Sequence, residues 1–207
     1  MARDTHSIVK MSRREGYALH PKAHKALVKR TSPPGQQSGG RGGRPKKPSQ
    51  YSLQLREKQK VKRLYGLLER QFSNLMKEAS RKSGQSGQVL LQLLEQRLDN
   101  AVYRAGFAPS RRAARQLVTH GHFVLNGRRV DIPSIRLKAG DVIELREASK
   151  SNAYFKNLDD LSAAPSTTPG WMKVDRKKRA ASVISVPSRE EAEPDINEQL
   201  IVEYYSR

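Results

Sequence analysis

Cysteine is absent from this chain of 207 residues. No disulfide and no thiolate metal site is therefore possible, and the composition permits a reducing, cytosol-like compartment. Aromatic residues are scarce, at 4 Phe, 1 Trp and 7 Tyr, which argues against a platform that stacks successive bases. No run approaches the ~18 apolar residues of a membrane helix. Met1-Ala2-Arg3-Asp4 opens no apolar signal region. Neither a Gly-rich phosphate loop nor a Ser/His/Asp ordering appears. His20 and His24 have ligand-like spacing, and His6 lies nearby. Yet Pro21 separates the pair, and no Cys or paired carboxylate completes a tetrahedral set. No metal and no cofactor is expected.

Acids are the other shortage: 20 Asp plus Glu stand against 40 Lys plus Arg, a net charge of +20. Such an excess repels itself and calls for an anionic partner, nucleic acid first. The excess is uneven. Residues 1–50 carry 12 basic and 2 acidic side chains, while residues 148–207 carry 9 of each. The partner is expected along the first three-quarters of the chain, and the tail is expected to pack or meet protein.

Residues 97–147 organise the rest. Ser110 is a good N-cap for a helix beginning at Arg111, and Gly121 stands where a helix C′ residue belongs. Arg111 and Arg115, four apart, share one face. Asn126-Gly127 signals a two-residue hairpin, because both residues tolerate positive φ, with Arg128 and Arg129 following. Five Arg and no acid between Ser110 and Val130 favour a phosphate-binding face over a merely solvated one. After Ile132-Pro133-Ser134 a last strand is expected over Val142–Arg146.

Upstream, an apolar stripe of Val61, Leu64, Leu68, Phe72, Leu75, Met76 and Ala79 predicts helix from Ser49 to about Lys82. A second helix is expected from about Gln88 to Ala105, ended by Gly106. Residues 1–50 are poor in apolar side chains and rich in Gly, Pro and cations, which predicts a basic arm that orders along a phosphate backbone. In the tail, Trp171-Met172 is expected to dock on the core, Ala181–Val186 to form a strand, and a helix to run from Asp195 to Tyr205.

These residues resemble one family over nearly the whole chain: the bacterial-type small-subunit ribosomal protein S-four. The densest matches are Leu55-Arg56-Glu57-Lys58-Gln59-Lys60, Glu69-Arg70-Gln71-Phe72, Arg97-Leu98-Asp99-Asn100, Ala114-Arg115-Gln116 and His120-Gly121-His122-Phe123. Pro33-Pro34-Gly35-Gln36 and Asn197 to Ser206 also match. The resemblance implies binding to the 5′ domain of 16S ribosomal RNA at a helix junction, early in subunit assembly. It implies a place near the channel through which mRNA enters, beside ribosomal protein S-five and other small-subunit proteins, with a role in translational accuracy. Some members also repress their own mRNA. Many members hold zinc with four cysteines; here Val9 and Ser12 occupy two of those positions, so the chain resembles a zinc-free form.

The expected fold class is α+β. A helical domain (49–95 with 149–207) carries an inserted RNA-binding module (96–148) of two short helices on a curled antiparallel sheet, and an extended basic arm (1–48) precedes them. The expected RNA-binding residues on the arm are Arg3, Arg13, Arg14, Arg44, Lys46 and Lys47. On the helices they are Arg56, Lys58, Lys60, Lys62, Arg63 and Arg70. On the module they are Ser110, Arg111, Arg112, Arg115, His120, His122, Asn126, Arg128 and Arg129. Recognition is expected to read shape and backbone. No enzyme activity, membrane or homo-oligomer is expected, and the expected location is the ribosome of a cytoplasm, with an organelle ribosome left open. The alternatives are an RNA-modifying enzyme, since the module also resembles parts of pseudouridine synthases and some aminoacyl-tRNA synthetases, or a translational repressor of its own mRNA. Residues 148–207 are short for a catalytic domain, and Asp159, Asp160 and Asp175 fall in no recognisable site.

Overall fold

A computed structural model describes residues 4–30, 32–35, 47–162 and 168–206. Two compact units emerge: residues 1–87 with 195–207, and residues 88–194. Expected boundaries placed 149–207 with the helices. Instead residues 149–194 belong with the sheet, because two of their segments pair with it.

In the first unit, α1 (Ile8–Glu15), a 3-10 turn (Pro21–Ala23) and α2 (His24–Lys29) precede α3 (Gln50–Leu64) and α4 (Glu69–Ala79). Residues 4–30 are thus mostly helical where an extended arm was expected. Met11, Leu19 and Ala23 are buried, and Ser12 bridges the turn: its hydroxyl donates to Ile8 O at 2.9 Å and accepts from Leu19 N at 3.3 Å. The expected single helix from Ser49 to Lys82 is two. Gly66, at φ +67°, follows the end of α3; glycine adopts that left-handed conformation without a Cβ penalty. Val61, Leu64, Leu67, Phe72 and Met76, on either side of the turn, are all buried.

The C-terminal helix α11 (Glu198–Tyr205) returns to α3. Asn197 caps it, accepting from Gln199 N and Leu200 N. Gln54 donates to Glu203 at 2.8 Å, and Asn197 N donates to Glu57 at 2.9 Å. Glu69 is the hub of this clamp. Lys58 Nζ lies 2.7 Å from it and Lys62 Nζ 2.8 Å, while Tyr205 OH donates at 3.0 Å. Burial alone would raise the Glu69 carboxyl, but those three hydrogen bonds outweigh it and bring it down to about 2. Burial and Glu69 together push the Tyr205 phenol up. A depressed carboxyl contributes stability above its unfolded value of 4.5 and loses it as pH falls toward 2. Glu69→Gln is therefore expected to flatten the acid limb of melting temperature against pH between about 4.5 and 2. An unchanged limb would remove Glu69 from that role.

The second unit holds most of α5 (Ser86–Glu95), then α6 (Leu98–Arg104) and α7 (Arg111–Thr119). The helix expected over 88–105 breaks at Gln96-Arg97. There Leu98 N donates to Ile135 O, Leu137 N donates to Gln96 O, and Arg97 bridges Arg136. Pairing with the chain 40 residues on replaces the helical bonds, and no local signal announces it. Strands β1 (Phe123–Leu125), β2 (Arg128–Val130) and β3 (Val142–Leu145) were expected. Helical turns α8 (Glu147–Lys150), α9 (Ala153–Lys156) and α10 (Leu158–Leu161) then lead to β4 (Met172–Asp175) and β5 (Ala180–Val183). The sheet is antiparallel, ordered β2-β1-β3-β5-β4. One face packs on α6 and α7 through Leu98, Val102, Val118, Phe123, Ile143 and Trp171, all under 2% exposed. The architecture is α+β.

Candidate nucleic-acid interface

The module face starts from the cap and the turn. Ser110 Oγ accepts from Ala113 N at 3.3 Å and sets α7. Asn126 and Gly127 stand at φ +50° and +77°, as a type I′ turn requires. The turn carries Arg128 and Arg129 onto an exposed edge strand, and Arg112 is exposed on α7. Gly121, at φ +70°, admits Arg129: a Cβ there would come within 2.7 Å of Arg129 Nε. The guanidinium thus lies across the C-terminal end of α7, where the helix dipole favours a cation.

Beside it, His120 is exposed and accepts from Gln116 at 3.1 Å. His122 is half-buried, its Nδ1 3.0 Å from Ser149 Oγ and its ring edge-on to Phe155. Burial first, then His120 and Arg146, lowers the His122 imidazole below its ordinary value. Two other expected contacts are spent on the fold. The Ser110 hydroxyl is buried in its cap. Asn126 donates to Asp141 Oδ1 and accepts from Val142 N, both at 2.8 Å, which latches the hairpin to β3.

Arg111 and Arg115 sit within an ion-pair network. Each side chain is only 12% exposed. Arg111 Nε donates to Asn100 at 2.9 Å, its Nη2 lies 2.6 Å from Glu193, and the guanidinium stacks on Tyr103. Arg115 lies 3.4 Å from Asp99, which also takes a fork from Arg97 at 3.0 and 2.8 Å. Arg104 forks onto Glu95 at 3.0 and 2.9 Å, and Asn100 donates to the same carboxylate at 2.8 Å. Four guanidiniums and three carboxylates thus tie α5, α6, α7 and the 189–193 segment together. Burial pulls the Arg115 guanidinium down and Asp99 pushes back. Sequence reasoning missed this network. Alternating charges at Glu95, Arg97 and Asp99 were a signal for part of it; nothing local pointed to Glu193.

The helical unit repeats the lesson. Lys58 is 3% exposed, held by Glu69 and set 4.5 Å over the Tyr204 ring, so it presents no surface to a phosphate. Lys62 goes to Glu69, Lys60 to Glu57, and Arg63 and Arg56 to the fully buried Glu15. Burial raises the Glu15 carboxyl despite Arg63 and Arg56. Arg13 donates to Ser32 O at 2.8 Å. The structure exposes Arg14, Lys47 and Arg70 and leaves Arg56 half-exposed. An open cavity of about 520 Å³ is lined by Lys10, Arg14, Lys62 and Arg63 together with Asp4 and Glu69. Arg3, Arg44 and Lys46 lie outside the described residues. Among the described residues no group of three or more His, Asp or Glu could hold a metal, and no helix is long and apolar enough to cross a membrane.

Residues 3–95 match the ribosomal protein S4/S9 N-terminal domain, and residues 96–143 match the S4 domain. The chain is 53% identical over 208 residues to a protein of Pelodictyon phaeoclathratiforme. It is 50% identical over 208 residues to one of Chloroflexus aurantiacus and 51% over 213 residues to one of Clostridioides difficile. Each match covers all of both chains, and each relative is named small ribosomal subunit protein uS4.

Proposed function

The chain belongs to the family of small ribosomal subunit proteins uS4, and on that premise we propose that it is a structural, non-enzymatic component of the small subunit that holds a folded RNA junction. The observation that carries this reading is the exposure of Arg112 on α7 and of Arg128 and Arg129 on β2, all within the residues that match the S4 domain. Arg14, Lys47, Arg56 and Arg70 add backbone contacts from the helical unit. His120 adds an exposed imidazole to the module face. Arg13, Lys60, Lys62, Arg63, Arg111 and Arg115 act mainly by holding the elements that carry these contacts.

The RNA in this reading is the 5′ domain of 16S ribosomal RNA, bound early in assembly. Protein neighbours are S-five and other small-subunit proteins, close to where mRNA enters, in a cytoplasmic ribosome. Holding that junction in one arrangement would support decoding accuracy. Contacts are to backbone and shape, since A-form grooves show side chains little sequence.

A salt titration of binding to 5′-domain RNA, beside an unrelated folded RNA of equal length, tests the reading. Tighter 5′-domain binding that persists through moderate salt is the expected result. Equal affinities that collapse together with salt would overturn it, since counterion release by the +20 charge would then account for all binding.

A further inference from the structure

Glu193 is the least expected member of the guanidinium network. It sits on an irregular segment before α11, its backbone O accepting from Arg189 at 3.3 Å. Its carboxylate reaches Arg111 Nη2 at 2.6 Å and Arg104 Nη2 at 3.4 Å, with its own side chain 18% exposed. Arg104 has a two-pronged partner in Glu95 besides, at 3.0 and 2.9 Å. For Arg111 the geometry is different. Nε is set by the neutral Asn100 oxygen and the plane by Tyr103, so that Nη2 is directed at Glu193. The 12% exposure of the Arg111 side chain leaves a phosphate little room unless that carboxylate moves aside.

We propose that Glu193 is a specificity-determining residue: its carboxylate occupies, within the chain, the position an RNA phosphate would take on Arg111. This rests on the reading of the module as an RNA-binding face. An anionic oxygen at 2.6 Å from a guanidinium nitrogen is chemically what a phosphate oxygen would be. An RNA that engages Arg111 must exchange one anion for another and gains little net charge pairing. RNA bound by charge alone is therefore deprived of one contact, while RNA that fits the whole face keeps the exposed Arg112, Arg128 and Arg129. Because Glu193 stands on a loop and not on a helix or strand, its side chain can turn away without breaking an element.

Glu193→Gln tests this in the full chain, with Glu190→Gln, an exposed residue nearby, as the control for net charge. Glutamine keeps an acceptor oxygen for Arg111, so the melting temperature should hold within a few degrees. The expected result is an affinity for an unrelated folded RNA raised about three- to fivefold at 0.15 M salt, with a log–log salt slope steeper by nearly one, as for one added phosphate contact. Affinity for 5′-domain RNA should rise less, so selectivity falls, and Glu190→Gln should change neither slope. Unchanged affinities and slopes would overturn the proposal. So would weaker binding to both RNAs, which would make Glu193 a brace for Arg111. If the wild-type chain shows no preference for 5′-domain RNA, the functional reading fails on that arm alone, while the response of Glu193→Gln on the unrelated RNA still decides the role of the carboxylate.

Discussion

Alanine at Arg112, Arg128 and Arg129 together is expected to lower affinity for 5′-domain RNA about a hundredfold at 0.15 M salt and to flatten the log–log salt slope by about two to three units. Each lost phosphate contact removes nearly one released counterion from the slope and about fivefold from the affinity at this salt. All three side chains are exposed, and surface changes of this kind usually alter stability within about 0.5 kcal/mol. The melting temperature should therefore stay close to that of the wild type. Arg111 and Arg115 should behave in the opposite way. Their guanidiniums satisfy Glu193 and Asp99 inside the unit, so their loss should lower the melting temperature, and RNA binding should fall along with the fold. Filter binding over a salt series, paired with thermal unfolding, separates the two sets. A triple variant with wild-type affinity and slope would show that the RNA meets some other face.

Asp99→Ala is expected to destabilise the protein by about 3–5 kcal/mol, the cost of removing one partner from a buried ion pair. Asp99 is 6% exposed at its side chain, and Arg97 beside it 7%. Its two oxygens accept Arg97 Nε and Nη2, Arg115 Nη1 and the backbone N of Asn100. Without the carboxylate Arg97 and Arg115 each lose an ion-pair partner while their side chains stay largely buried. Arg97 is also the residue at which the chain leaves α5 and enters α6, so the loss would fall on the junction of two helices. The midpoint of guanidinium chloride unfolding measures the effect. Asp99→Asn, which keeps one acceptor, should cost less. A loss below about 1 kcal/mol for the alanine variant would mean that the network contributes geometry and little energy, as exposed ion pairs do.

The local features of the candidate interface were legible because neighbouring residues make them. Ser110 caps because its own hydroxyl reaches a donor three residues on. Gly121 and Asn126-Gly127 take positive φ because of their own side chains, or the lack of one. The apolar stripes of α4 and α7 mark their buried faces for the same reason. Motif order and spacing also carried the family, which full-length relatives at about 50% identity then showed.

Charge was legible only as a total. The sequence determined that cations dominate the first three-quarters of the chain and that an arginine-rich helix and hairpin adjoin. It could not say which cations meet solvent, because that depends on where distant carboxylates arrive. Glu193 reaches Arg111 across 82 residues, and Tyr205 reaches Glu69 across 136. Pairing over such distances leaves no period in the sequence. The same holds for the backbone: β5 joins β3, and Arg97 meets Arg136, through hydrogen bonds between segments that local propensity treats as independent. Composition and short-range chemistry therefore determined the caps, the turns and the overall charge. Tertiary structure decided which arginines are largely buried and which are exposed.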